Sequence, residues 1–281
     1  MTDAFWRRFL FPGGLWLVLF FIVPFGIAVL ISLGETNEFG GVTYGWHPEQ
    51  YGDALDPLFA PVLARSVGYA AATAAVCLLI GYPVAYCIAR YGGRRRNLLI
   101  GLIMAPFLIN YLVRTYAWVA LLADEGLVNR LITDSGVSSD PVRFLNTPWA
   151  VIGGLVYGYL GFMILPIYAA LERMNPALIE AGKDLYGTPR QTFWHVTWPQ
   201  TLPGVLAGTV LVFLPAVGDF VSAQLLGGPD TYMVGNLIQQ QFFGADNWPF
   251  GAALTIVLMA FLAIFMFLYL RGSSSRRGAL A

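Results

Sequence analysis

Six long apolar stretches constrain this chain more than any other feature: approximately Gly14–Leu33, Leu63–Arg90, Leu98–Leu122, Ala150–Leu171, Leu202–Leu226 and Phe250–Leu270. A hydrocarbon core about 30 Å thick needs about 20 consecutive apolar residues in a helix, and each stretch meets that length. The segments between them are too short for an independent soluble core. Charged residues make up only 11 % of the sequence, against roughly 25 % in soluble domains. The expectation is an all-α, polytopic membrane protein with six transmembrane helices, forming one transmembrane domain over residues 1–281.

The net charge is zero, but the charges are unevenly placed. With a cytoplasmic N-terminus, Arg7, Arg8, Arg90, Arg94, Arg95, Arg96, Arg173, Lys183, Arg190, Arg271, Arg276 and Arg277 fall on the cytoplasmic side. Only Arg65, Arg130 and Arg143 fall opposite. Basic residues near helix ends stay inside, so both termini are predicted to be cytoplasmic. The outer loops are acidic, with Glu35, Glu38, Glu49, Asp53, Asp56, Asp124, Glu125, Asp134, Asp140, Asp230 and Asp246. Arg7 and Arg8 precede the first stretch as they would a signal peptide. That stretch is too long for a signal core and no small-x-small site follows Leu33, so it reads as a retained helix.

Within the spans, Ala70, Ala71, Ala72, Ala74 and Ala75 thin the second helix, and Gly154 and Gly158 form a small-xxx-small pair in the fourth. Such positions let helix backbones approach closely in lipid. Pro83, Pro106, Pro166 and Pro215 each remove a backbone hydrogen bond inside a span, which is tolerated where protein or a wet cavity covers the freed groups. Cys77 and Cys87 carry no metal or redox spacing and read as small buried residues. A short helix is predicted near Pro48–Leu58. Another, carrying Leu127, Val128, Leu131 and Ile132, should lie against the bundle, and Gly227-Gly228-Pro229 should break the fifth span.

The segment from Glu172 to Thr201 is longer than a tight connection requires. Asn175 can cap a helix with Pro176 in its first turn, running to about Leu185. Gly187 can take positive φ at its end. Thr188, Pro189 and Gln191 then restart a helix in a capping box, which Pro199 closes. Leu178, Ala181, Gly182 and Leu185 share one face of the first helix, and Glu180, Lys183 and Asp184 another. Phe193, Trp194 and Val196 add more apolar bulk than a solvated loop needs, the mark of a docking surface.

On these residues the segment resembles the cytoplasmic loop of binding-protein-dependent permeases, whose pattern is Glu-Ala-Ala, three residues, Gly, nine residues, Ile-x-Leu-Pro. Glu180, Ala181 and Pro199 match. Gly182 replaces the second alanine, Val196 and Trp198 stand for Ile and Leu, and the glycine comes one place late, at Gly187 rather than Tyr186. Gly81-Tyr82-Pro83-Val84-Ala85-Tyr86 with Ala89-Arg90, Arg114-Thr115-Tyr116-Ala117-Trp118, Leu214 to Val221 and Leu226 to Pro229 resemble the spermidine/putrescine branch. The resemblance implies a six-helix permease subunit of an ATP-binding-cassette importer, in a bacterial inner membrane. Its implied partners are a second related permease, two ATP-binding subunits carrying ATP and Mg, and a periplasmic or lipid-anchored binding protein. No nucleic acid is expected. It also implies that residues 172–201 are the coupling loop, with Glu180, Ala181, Gly182, Asp184, Gly187, Phe193 and Pro199 meeting the ATPase.

Two charges lie inside spans, Arg114 and Asp219, at similar depth along the third and fifth, where pairing is one reading. Intramembrane charges are costly and point to function. Asp219 suits an ammonium group, and Tyr111, Tyr116, Trp118 and Phe220 offer aromatic faces to a cation. A structural ion pair and ordinary packing remain open alternatives. The chain lacks a P-loop: around its only lysine, Ala177 and Asp184 occupy required glycine and hydroxyl positions. His47 and His195 lie in different loops, so no metal cluster is expected, no nucleophile set is evident, and the subunit itself is read as no enzyme. The alternatives are a permease for another small organic solute, and a secondary transporter without an ATPase, which would show repeated halves.

Overall fold

The computed structural model describes residues 12–37, 41–136, 138 and 140–278, and these are almost wholly helical. Arg7, Arg8 and Glu38, and the side chains of Arg276 and Arg277, lie outside what is described. Five helices are long and apolar enough to cross a membrane, and a sixth span is a pair of helices bent by 89°. The chain divides into two compact units, Met1–Pro61 with Leu237–Ser275 and Val62–Asn236 with Arg276–Ala281.

The larger unit is built around the second, fourth and fifth spans. The second is the helix Ala60–Tyr91 and the fourth is Pro148–Arg173, capped by Thr147, whose hydroxyl accepts the Ala150 amide at 3.2 Å. Cys77, Tyr82, Ala85 and Ile88 pack against Met163, Ile164, Ile167 and Leu171, and these against Val205 and Val212. Ala74 belongs to this core and Ala70 is buried, whereas Ala71 and Ala75 are exposed, so the small-residue stripe is narrower than the run of alanines. The tightest seam joins the fourth and fifth spans. A Cβ at Gly204 would lie 2.6 Å from the Pro166 carbonyl oxygen, and one at Gly208 3.1 Å from that of Met163. Without a hydrophobic drive between helices in lipid, such backbone approach is what packing there depends on.

Three expectations about helix limits are corrected. Pro199 does not close the second helix of the Glu172–Thr201 segment. That helix begins at Pro189, passes through a π-helical turn at Phe193–Thr197, and continues as the fifth span to Val217. The wider turn carries the Trp198 amide to the Phe193 carbonyl, so Pro199 falls at the start of a new α-helical register, where its missing N–H costs little. The fifth span ends at Val217 and not at Gly227; after a break at residues 218–220 the helix Val221–Leu226 follows. The third span is two helices, Arg96–Met104 and Tyr111–Leu122, joined by a 3-10 turn at Ala105–Leu108 and extended backbone at Ile109 and Asn110.

Two surface readings also change. Cys77 is buried but Cys87 is exposed. The helix Leu127–Asp134 exists, yet Leu127 and Leu131 are exposed and Asn129 faces inward. The reason is polar: the Asn129 amide donates to the carbonyls of Ala123 and Val142 and accepts the Val142 amide, which clamps the loop and sets the helix rotation.

The smaller unit holds the first span, Pro12–Ser32, and the sixth, the helix Trp248–Gly278. Residues Leu15 to Val23 are all exposed, as a helix that meets lipid or another chain would be. The predicted loop helix appears as Glu49–Ala54 with a 3-10 turn at Pro57–Phe59. Ala54, Phe59, Phe250 and Leu254 form its core, and strands Glu35–Thr36 and Val42–Thr43 pair antiparallel beside it, tied by Thr36 to Asn247 at 2.9 Å.

Candidate functional site

Irregular backbone at membrane depth persists only where other groups satisfy it, and at both interrupted spans side chains do so. In the third span, Asn110 caps the helix Tyr111–Leu122 by accepting the Leu112 amide at 2.9 Å. Arg114 reaches back across the bend and donates from Nη1 to the Pro106 carbonyl at 3.1 Å, an oxygen that also accepts the Ile109 amide at 3.3 Å. In the fifth, the Phe220 carbonyl accepts from the Asn236 side chain at 2.9 Å. Asp219 caps the helix Val221–Leu226, its Oδ1 accepting the Ser222 amide at 2.8 Å.

Asp219 and Arg114 are both buried, 7 % and 8 % exposed, but they do not pair. Tyr111 stands between them. Its hydroxyl donates to Asp219 Oδ2 at 2.6 Å and lies 2.6 Å from Ser222 Oγ. Tyr159, from the fourth span, donates to the same oxygen at 2.9 Å. All three of these partners, two phenol hydroxyls and one backbone amide, can donate to the Asp219 carboxyl. The Arg114 guanidinium lies over the rings of Phe107, Tyr111 and Tyr157, 5.3, 5.4 and 5.5 Å from their centroids. Its Nε is buried without a hydrogen-bond partner. The cation is thus held by three ring faces and one carbonyl rather than by a carboxylate.

Glycines of the fourth span make room for these rings. A Cβ at Gly158 would sit 3.1 Å from the Tyr111 ring, and one at Gly161 would collide with Phe107. The Gly154/Gly158 pair therefore serves side chains at the breaks: a Cβ at Gly154 would collide with Leu226. Of the residues singled out from sequence, Tyr111, Arg114 and Asp219 join this cluster, and Trp118 reaches its edge by an edge-on contact with Tyr157 at 5.5 Å. Tyr116 is 58 % exposed and Phe220 40 %, with neither ring in the cluster. Tyr159, Tyr157, Ser222 and Phe107 were missed. Only their nearness in sequence to Gly158, Asp219 and Pro106 hinted at them. Replacing Tyr159 with phenylalanine removes one donor from a buried carboxylate and is expected to destabilise the protein by about 1–3 kcal/mol, read as a lower thermal midpoint in detergent.

The Glu172–Thr201 segment folds largely as its caps dictate. The helix Pro176–Tyr186 is capped by Asn175, whose Oδ1 accepts the Ala177 amide at 3.0 Å, and ends at Gly187 with φ 71°. That angle is routine only for glycine. Thr188 caps the next helix through the Gln191 amide. Gly182 is the contact point between the two, since a Cβ there would lie 2.8 Å from Val196 and 3.0 Å from Thr192. Glu180, Ala181, Asp184 and Leu185 are exposed. The predicted apolar face is therefore split: Gly182 packs inward, and Leu178, Ala181 and Leu185 stay uncovered. Phe193 inserts between spans, edge-on to Tyr82 at 5.7 Å and near Tyr86 and Trp198.

Residues 77–277 match the family described as the binding-protein-dependent transport system inner membrane component. The chain belongs to that family. It is a multi-pass inner-membrane permease of the ATP-binding-cassette importers, a transport component. Its relatives include the spermidine/putrescine transport system permease protein PotB of Haemophilus influenzae, 39 % identical over 92 % of this chain and 90 % of that one. The PotB of Escherichia coli is 37 % identical over 92 % and 94 %. A bacterial alginate ABC transporter, crystallised with its alginate-bound periplasmic protein, contains a chain of the same fold: TM-score 0.69, 20 % identity, 95 % of this chain and 93 % of that one covered. Among the described residues no group of His, Cys, Asp and Glu could hold a metal ion.

Proposed function

We propose that this permease forms, with a second permease, the path by which spermidine or putrescine crosses the inner membrane. Asp219 receives an ammonium group on the way. The carrying observation is a buried carboxylate without a cationic partner, at the junction of two broken spans. A carboxylate has about four acceptor sites; Tyr111, Tyr159 and Ser222 take three, leaving Oδ1 one for an ammonium N–H. The two PotB relatives, named for these polyamines, support the cargo. Arg114, over the Tyr111 ring, keeps the site from holding a cation too tightly to release it.

The driving subunits are two ATPases, which carry ATP and Mg, and a periplasmic or lipid-anchored binding protein delivers the cargo. The ATPases dock on residues 172–201, through Glu180, Ala181, Asp184 and the uncovered Leu178 and Leu185, on the cytoplasmic side with both termini. From Pro189 to Val217 the chain is one 29-residue helical rod, about 43 Å long at 1.5 Å per residue. It begins beside Gly187 and stops two residues short of Asp219. Motion at the docking face therefore reaches the carboxylate through a rod, with Gly182 and Phe193 fastening the docking helix and the second span to it.

The test is uptake of labelled spermidine and putrescine in cells lacking the operon, restored with the parent or with Glu180→Lys. Glu180→Lys reverses the charge of an exposed docking residue and is expected to cut uptake about tenfold or more, as loss of an interfacial charge contact does. Full uptake by that variant removes Glu180 from the docking face. Failure of the parent to take up either amine, when well expressed and assembled, rejects the cargo.

A further inference from the structure

The end of the second span and the start of the third enclose a groove of ≈ 500 Å³ that no described part of the chain fills. Pro83, Cys87 and Tyr91 form one wall, and Leu99, Leu102 and Ile103 the other. Tyr91 and Leu102 are 79 % and 68 % exposed. Both walls belong to the same compact unit. In a bilayer an apolar groove by itself specifies nothing, because lipid tails are as apolar as the groove. Its mouth is what specifies an occupant.

Gly92, in the turn between the spans, closes the groove at one end, and the turn continues into Gly93–Arg95. Arg94, Arg95 and Arg96 are all exposed there. Arg96 is neutralised by Glu172, Nη1 to Oε1 at 3.0 Å. Arg94 and Arg95 form no ion pair with any described residue. Two guanidiniums without an ion-pair partner among the described residues thus lie in the turn that follows Gly92, between the ends of two spans. Guanidinium matches phosphate geometry with two parallel N–H donors, and basic pockets between transmembrane helices suit anionic head groups.

We infer that this groove binds an anionic glycerophospholipid, with an acyl chain along Pro83, Cys87 and Leu102 and its phosphate on Arg94 and Arg95. A zwitterionic lipid offers the same tail but brings its own cation to the arginines, so head-group charge decides occupancy. A bound lipid would brace the second span at Pro83, where a proline inside the continuous helix removes a backbone hydrogen bond, against the opening of the third.

The test is native mass spectrometry of the full chain, purified with its accompanying subunits, delipidated, and titrated with dioleoyl phosphatidylglycerol or dioleoyl phosphatidylethanolamine. The parent is expected to retain phosphatidylglycerol in preference. Each basic residue near the surface contributes enough that Arg94→Gln with Arg95→Gln should weaken that binding about 10- to 30-fold and erase the preference. Cys87→Trp, which fills the trough with an exposed side chain, should weaken both lipids. Equal retention of both lipids by the parent, or a preference surviving the double substitution, overturns the assignment. So does efficient cross-linking of Cys87 to another subunit in native membranes, since the groove would then be a protein interface. Cys77 is buried, which leaves Cys87 as the reactive thiol for that arm.

Discussion

Asp219→Asn is expected to lower polyamine uptake about 100-fold while leaving the protein folded and assembled. The substitution keeps the size of the side chain and an oxygen able to accept the Ser222 amide. The hydroxyls of Tyr111 and Tyr159, both now donors to Oδ2, can rotate to accept from the new amide. What disappears is the negative charge that an incoming ammonium would meet in a site nearly closed to water. Truncating one member of a buried, hydrogen-bonded charge pair costs about 2–5 kcal/mol, and 1.4 kcal/mol is a factor of ten. The measurement is initial uptake rate, normalised to assembled complex in the membrane. Uptake within about threefold of the parent, on the same scale, would remove Asp219 from the path and leave it a helix cap.

Gly204→Val should instead damage the fold. The Cβ alone would meet the Pro166 carbonyl oxygen at 2.6 Å and Ala170 Cβ at 2.7 Å, and neither group is the end of a flexible side chain. The fourth and fifth spans must therefore part, and the close approach at Gly208, whose Cβ would lie 3.1 Å from the Met163 carbonyl oxygen, is lost with it. Overpacking costs typically about 1–3 kcal/mol; a backbone obstacle on the main seam belongs at the upper end. The readouts are the thermal midpoint in detergent and the amount of protein reaching the membrane. Gly153→Val is the control, since a Cβ there has nothing within 4 Å. Equal stability of the two variants would show that the seam tolerates separation.

The legible parts of this protein were those whose causes are local. Asn175 before Pro176, and Thr188 before Pro189 and Gln191, announced two helix starts that the structure contains. Gly187 announced the left-handed turn between them. Pro199 misled because a proline reads as a stop. Only the π turn at Phe193–Thr197, stabilised by rings of the second span, makes it a continuation. The helix Leu127–Asp134 was found and Val128 packs on the bundle as expected, but Leu127 and Leu131 face outward, because Asn129 turns inward to its three hydrogen bonds with Ala123 and Val142.

The sequence by itself determined that this chain crosses a bilayer, where its spans lie, and how the segment between the fourth and fifth spans is capped. Span length, charge placement and caps all act within a few residues, so they can be read in order along the chain. The tertiary structure alone decided where the third and fifth spans break and what surrounds Asp219. An apolar run reads alike whether straight or interrupted. At the breaks local backbone bonds, Ile109 to Pro106 and Gln224 to Phe220, are joined by side chains that only the folded chain brings there: Asn236 at Phe220, and Arg114 at Pro106. Tyr111 reaches Asp219 across 108 residues of sequence, through space opened by glycines of a third helix. No local pattern encodes such a meeting. It arises when four helices pack in lipid and the buried polar groups must find one another.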